Sequence, residues 1–204
     1  MLKLCFFTGG IAQTNGWLLE TSEGALAFDA PEGMASWLRL RGVKLTALLL
    51  THQHFDHVQD AAAVKAEHGC PIYAFAPHSR RLTLEELFGV ATGMSVSVPP
   101  YGVDHLLEGQ STLSLAGLTF DLKHVPGHSP DSVCFHTAEH GILVGGDVLF
   151  AGSIGRCDFP GGSQRQLVQG IAEKLMILPD ATRVLPGHGP ETTLGAERED
   201  NPYL

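Results

Sequence analysis

Three histidines and an aspartate fall within six consecutive residues: His52, His54, Asp56 and His57, in the stretch LTALLLTHQHFDHVQDAAAV that runs from Leu45 to Val64. An apolar run leads straight into them. A packed core rejects so many polar groups unless each finds a partner, because burying one unpaired costs several kcal/mol on an alkane scale. The stretch is therefore either a solvated loop or a place where something binds. Three more groups occupy the same kind of position: His128 in HVPGHSP, Asp147 in VGGDVLF and His188 in VLPGHGP each follow an apolar run, with glycine beside or just before them. Pro-Gly turns project the next side chain out of the strand line, so each PGH delivers a histidine where a strand gives way to a loop.

Imidazole nitrogens with a few carboxylates suit zinc, iron or manganese, whereas calcium and magnesium prefer all-oxygen shells. His52 and His54 are two apart and project to one side of an extended chain. Asp56 and His57 come after the turn and face a neighbouring point. Five histidines and two aspartates are too many for one tetrahedral ion and fit two ions that share a carboxylate. The other histidines, His68, His78, His105, His124, His136 and His140, stand singly and read as solvated or hydrogen-bonded side chains.

The elements that must position these residues are legible in outline. Short strands are expected at 3–7, 16–21 and 25–29, separated by Gly/Thr/Asn and Ser/Glu/Gly turns. APEGMASWLRLRG, with an early Pro31 and a late Gly42, reads as a short helix. VKLTALLL reads as a strand covered on both faces. An Ala-rich helix from Val58 to His68 ends at Gly69 and Pro71, and IYAFA follows as a strand. Residues 77–105 mix a helix-like SRRLTLEELFGV with strong breakers and read as a loop over the site. Strands resume at 111–115, 118–124, 132–136 and 141–145. A helix at 163–177 carries Leu167, Ile171, Leu175 and Met176 at near-helical spacing, and TRVLPGHGP adds a last strand and turn. Strand-rich halves with helices at their edges indicate a layered α/β sandwich.

Composition narrows the function classes. At 204 residues the chain suffices for a single domain, residues 1–204, with a full core. Glycine, at 24 residues, exceeds the usual ~7% and fits many tight loops or close approaches to a ligand. Thirteen basic against 22 acidic residues give a net charge of −9 without a basic stripe, which argues against nucleic acid as a partner. MLKLCFFTGG reads as a first strand rather than a signal peptide, and no apolar run approaches the ~20 residues that span a bilayer. Cys5, Cys70, Cys134 and Cys157 form no CxxC pair, which suits reduced thiols in a cytoplasm. The tail AERED reads as a solvated end.

The order HxHxDH, then His, then Asp, then His, all at strand ends, resembles the metallo-β-lactamase fold superfamily, and the likeness extends from Asn15 through His188. GRCDFPGG and the closing GAERxxNPYL resemble its small glyoxalase II-like hydrolases. That resemblance implies a four-layer αββα sandwich and two divalent metal ions, zinc first and iron or manganese next. One ion would take His52, His54 and His128; the second would take Asp56, His57 and His188; Asp147 would bridge them. It also implies hydrolysis of acyl thioesters such as hydroxyacylglutathione by a metal-bound hydroxide, with Asp56 and Asp147 orienting the nucleophile. Arg156 falls where that branch has a basic residue for a substrate carboxylate, while Asp158 stands where a substrate-binding tyrosine is expected. The added helical domain with which full-length glyoxalase II contacts glutathione is not expected here.

Other branches make different demands. A persulfide dioxygenase would use one non-haem iron on His52, His128 and Asp147 and would not need His188. One major zinc β-lactamase group places a cysteine where this chain has Asp147. RNA-processing members fit an acidic chain poorly, and a non-enzymatic binding module leaves the seven donors unexplained.

Overall fold

Alternation begins at once: β1 (Lys3–Gly9) pairs antiparallel with β2 (Thr14–Glu20), which pairs antiparallel with β3 (Ala25–Phe28). The computed structural model describes residues 2–204, in two compact units: residues 2–108 with 115–117, and residues 109–114 with 118–204.

In the first unit the chain passes through α1 (Met34–Arg41), β4 (Ala47–Leu49), α2 (Phe55–Val58), α3 (Ala61–His68), β5 (Ile72–Ala74), α4 (Arg80–Thr83), α5 (Glu85–Thr92) and β6 (His105–Leu106). Strands β1 to β6 form a six-stranded sheet in sequence order, and from β3 onward every pairing is parallel. Leu18, Ala27, Leu48 and Ile72 pack against Met34 and Leu38 of α1 and Ala61 and Val64 of α3. Trp17, Leu19, Leu26, Phe28 and Leu49 on the other face are buried too, so the central strands are apolar on both sides. Each buried Leu, Ile, Val, Met or Phe among them contributes about 1.5–3 kcal/mol of transfer free energy.

Two expectations change here. The strand read in VKLTALLL shortens to three paired residues, Ala47–Leu49. The helix expected at 58–68 breaks at Gln59–Asp60 into α2 and α3. The cause of the break is tertiary: α1 starts after Gly33, which has no side chain to cap it, and the Asp60 carboxylate accepts from Gly33 N–H and Ala35 N–H at 3.0 Å each. Residues 77–105 form two short helices around Leu84, whose φ of 57° lies in the left-handed region. Buried Glu85 then accepts from Val98 N–H at 3.0 Å and draws the chain back.

The second unit runs β7 (Thr112–Leu115, all but its last residue), β8 (Leu118–His124), β9 (Val133–Thr137), β10 (Ile142–Gly146), β11 (Leu149–Phe150), β12 (Ser153–Ile154), α6 (Gln164–Lys174), β13 (Arg183–Pro186), β14 (Thr192–Thr193) and α7 (Leu194–Asp200). Its six-stranded sheet has the order β14-β13-β10-β9-β8-β7, and β11 and β12 form a separate hairpin. Ser163 caps α6 through its side chain, and Leu167, Ile171 and Leu175 pack on Cys134, Leu143 and Val184 of the sheet. The tail read as solvated is instead α7. Its Glu197 is buried, accepting from Gly152 N–H at 2.9 Å, the Thr192 hydroxyl at 2.5 Å and the Asn201 amide at 2.8 Å. Among the described residues, no helix is long and apolar enough to cross a membrane.

Candidate metal centre

Parallel strands end on one edge of their sheet, where polar groups can leave the core without breaking a ladder. In the first unit that edge carries Asp29 after β3 and the segment 50–57 after β4. Asp29 N–H donates to Leu49 O at 2.9 Å, and Ala30 N–H donates to His57 O at 2.7 Å, so the two loops are knitted together. The Asp29 backbone sits at φ 59°, a region that Asp tolerates better than most residues.

The Asp29 carboxylate, 1% exposed, accepts from Thr51 N–H at 2.8 Å, from the Thr51 hydroxyl at 2.7 Å and from His57 Nδ1 at 2.8 Å. A carboxylate only accepts, so His57 carries its proton on Nδ1 and its lone pair on Nε2. The Thr51 hydroxyl spends its own proton on Asp29, so its oxygen accepts from His52 Nδ1 at 3.1 Å. His52 therefore also keeps its lone pair on Nε2. One aspartate thus sets the tautomer of two imidazoles, which is how metal-site histidines are commonly oriented and made more basic.

His52, His54, Asp56 and His57 are all buried. His54 is extended at φ −59°, ψ 147°, and the His52 and His54 rings lie 4.6 Å apart on the same side, as a period of two requires. The turn of α2 then swings Asp56 and His57 round, bringing the His57 ring to 4.1 Å from that of His52. Ligand atoms within each of the pairs His52–His54, His52–His57 and Asp56–His57 lie within 4.8 Å of each other. Thr14 of β2 donates its hydroxyl to Asp56 Oδ2 at 2.6 Å and fixes that carboxylate.

The second unit builds its part differently. β9 is antiparallel to β8 and β10, and β13 is parallel to β10, so β8, β10 and β13 run the same way. His128, Asp147 and His188 follow the C-terminal ends of those three strands. An irregularity between Val144 and Gly146, with Gly146 at φ 52°, turns Asp147 out of the strand. Gly187 N–H donates to Gly146 O at 2.8 Å and keeps the last PGH turn alongside.

Asp147 Oδ2 lies 3.5 Å from His128 Nε2 and 3.3 Å from His188 Nε2. His128 Nδ1 donates to the Arg156 carbonyl at 2.8 Å, which puts the His128 lone pair on Nε2. A lone pair facing a carboxylate oxygen is repulsive until a cation lies between them, and a divalent ion meets that demand. The loops also come very close: a Cβ on Gly155 would stand 2.0 Å from Asp147 O and 3.0 Å from His128 Cβ.

Arg156 touches a candidate ligand through its carbonyl. Its guanidinium is exposed, stacks over Phe159 at 4.3 Å and pairs with both oxygens of Asp158 at 2.7 and 2.6 Å. That guanidinium holds the Asp158 carboxyl down at about 2. Beside it a cavity of about 330 Å³ is lined by Ser153, Ile154, Cys157, Gln164 and Tyr203. Of the histidines set aside in the sequence, His124 bonds the Pro130 carbonyl and His136 is buried 3.5 Å from Asp121.

The sequence reading missed Asp29, Thr51 and Thr14. Asp29 carried a usable signal, because it ends the apolar run ALAF as the ligands end theirs. Thr14 carried none, since its partner Asp56 lies 42 residues away.

The chain is similar to several known proteins. Residues 11–188 match the family model described as the metallo-beta-lactamase superfamily. The chain is 36% identical to the probable metallo-hydrolase YqgX of Bacillus subtilis (96% of this chain, 94% of the relative). It is 34% identical to the hydroxyacylglutathione hydrolase GloC of Haemophilus influenzae (94% and 93%). Among solved structures, the BLEG-1 B3 metallo-beta-lactamase superposes with a TM-score of 0.89 at 36% identity over 99% of both chains. TTHA1623, solved in a di-iron-bound form, gives 0.83 at 39% identity over 98% of this chain and all of the other. ETHE1 from Myxococcus xanthus shares the fold, with a TM-score of 0.76 at 22% identity over 99% of this chain and 83% of the other.

Proposed function

Because the chain belongs to the metallo-β-lactamase superfamily, we propose that it is a metal-dependent hydrolase that binds two divalent ions and cleaves acyl thioesters, hydroxyacylglutathione first among them. The donor set carries this reading: five imidazoles and two carboxylates at strand ends, three of the imidazoles holding their lone pair on Nε2 through a bond from Nδ1. That chemistry fits a divalent transition ion. His52, His54 and His128 would hold one ion, Asp56, His57 and His188 the other, and Asp147 both. Zinc is the first metal to test, and iron or manganese the next. Such ions, once bound, lower the pKa of water toward ~7 and polarise a carbonyl oxygen.

The chain's own residues do the rest. Asp29 and the Arg156 carbonyl hold protons on Nδ1 of the ligating histidines and so keep the lone pairs pointed inward. Thr14 fixes the Asp56 rotamer, so that Asp56, with Asp147, can accept a hydrogen bond from the attacking water and orient it. Attack at the thioester carbonyl breaks the C–S bond, and the sulfur leaves as a weakly basic thiolate. Arg156 would meet a substrate carboxylate once that anion displaces Asp158 from the guanidinium. A relative named for hydroxyacylglutathione hydrolysis at 34% identity supports the substrate class. The net charge of −9 favours a small-molecule partner over nucleic acid, and the scattered cysteines suit a cytoplasmic setting.

The test is metal analysis of the purified chain together with a substrate panel. Two ions per chain and fastest turnover on lactoylglutathione are expected. One iron per chain with O₂ uptake on glutathione persulfide would sink the reading, and nitrocefin hydrolysis faster than that of any thioester would replace it with a lactamase.

A further inference from the structure

In His52-Gln53-His54-Phe55-Asp56-His57 the candidate ligands are interrupted by two residues that offer no such donor, and both are buried. Gln53 is 0% exposed. Its amide nitrogen donates to Ala76 O at 3.0 Å and Pro77 O at 3.4 Å, and its oxygen accepts from the Tyr101 hydroxyl at 2.9 Å. Phe55 packs its ring 4.6 Å from that of Phe88 on α5. The partners Ala76, Pro77, Phe88 and Tyr101 all belong to one excursion of the chain between β5 and β6, in the region whose sequence was hardest to read. That arm is closed on itself: Glu85 holds Val98 N–H, and Tyr101 packs on the His78 ring at 4.3 Å.

We infer that the 76–101 arm is a clamp on the metal-binding loop, with Gln53 and Tyr101 as positioning residues for His52 and His54. The inference rests on the metal-hydrolase reading and deepens it. The physical argument is alternation. In an extended segment successive side chains point to opposite sides, so residues facing a metal leave their neighbours facing away. Gln53 is spent at both ends of its amide on the arm, so the loop cannot turn about its own axis without breaking hydrogen bonds in a buried setting. Ligand geometry is held by such supporting bonds, and losing them typically costs about 10- to 100-fold in metal affinity.

The experiment is zinc affinity by competition with a chromophoric chelator, alongside thermal melting of the metal-stripped chain. Gln53→Leu is expected to weaken zinc binding by about 10- to 100-fold. Tyr101→Phe removes one hydrogen bond and should weaken it by about 3- to 10-fold. The double variant should match Gln53→Leu alone, because that change already removes the acceptor of the Tyr101 hydroxyl together with the amide's other two bonds. Val90→Ser, on the exposed face of the same arm, should bind zinc as the wild type does. If Gln53→Leu does not fold, Tyr101→Phe decides. A Tyr101→Phe chain that melts lower yet binds zinc within twofold of wild type would overturn the clamp alone. A wild-type chain that takes up no metal would overturn the hydrolase reading and the clamp with it.

Discussion

One unit packs four candidate donors into six consecutive residues, while the other spreads three from His128 to His188. The crowded set depends on what surrounds it. Asp29, Thr51, Thr14 and Gln53 each hold a ligand or its neighbour, because a loop of that density has no ladder of its own. The dispersed set depends on strand direction: β8, β10 and β13 run the same way, and each brings one donor to the same edge. Dense motifs are thus fixed by buried hydrogen bonds and dispersed ones by topology, so the two should fail differently when altered.

The largest expected contrast is between the two aspartates. Asp147 lies between two imidazole nitrogens at 3.5 and 3.3 Å, so Asp147→Ala should strip metal and cut hydrolysis by more than ~100-fold, beyond the usual effect of a supporting residue. Asp56→Ala should lower metal content from two ions to one. Equal, full metal content in both variants would show that neither carboxylate ligates. Next in size is Asp29→Asn, which keeps the shape but presents an amide to Thr51 and His57. Metal affinity should fall by about 10- to 100-fold while the second unit's donors are untouched. Chelator competition reads this directly, and unchanged affinity would mean the crowded motif needs no such support.

The dispersed set should instead be sensitive to close packing. Gly127, just before His128, has φ 136°, and a Cβ there would stand 2.5 Å from Leu167 N at the start of α6. Gly127→Ala should destabilise by about 1–3 kcal/mol in urea unfolding, because backbone rather than a flexible side chain must move. Gly69→Ala, at φ 62° with nothing within 4 Å, should cost only the left-handed penalty of about 1 kcal/mol. Similar costs at the two sites would deny that packing behind His128 is special.

The same contrast explains what could be read from sequence. His52 to His57 stand out because so many polar groups after an apolar run conflict with any simple core, and the PGH turns announce themselves. Leu167, Ile171 and Leu175 follow helical spacing and are buried as that spacing requires. The α2–α3 break is invisible because its cause, Asp60 capping α1, joins residues 25 and 27 positions apart. AERED looks solvated because its charges are local, while the groups that satisfy Glu197 arrive from Gly152 and Thr192. Two-residue strands such as β6 and β14 carry too little pattern to find.

The smallest expected effect compares exposed ion pairs. In the first unit Lys65 lies 2.6 Å from Asp104, whose carboxylate also accepts from Ile72 N–H at 2.8 Å, tying the pair to β5. In the second, Arg156 and Asp158 are two residues apart on one loop, and their ion pair spans no other element. The hydrogen bond from Lys65, with that from Ile72, lowers the Asp104 pKa from its ordinary 3.8. Between the folded and unfolded values the unfolded chain binds more protons, so this stabilisation is fully present above 3.8 and is lost as pH falls through the lower folded value. Asp104→Asn should therefore cost about 0.2–1 kcal/mol at neutral pH, a range set by solvent screening of a half-exposed pair. Its gap from wild type should narrow as pH falls below 3.8, as urea midpoints at neutral and at acid pH would show. Asp158→Asn should leave the midpoint unchanged at both pH values, because a solvated pair two residues apart also forms in the unfolded chain and so lowers the Asp158 pKa in both states. A gap for Asp104→Asn that persists undiminished in acid would assign its effect to the shape of the β5–β6 connection rather than to charge.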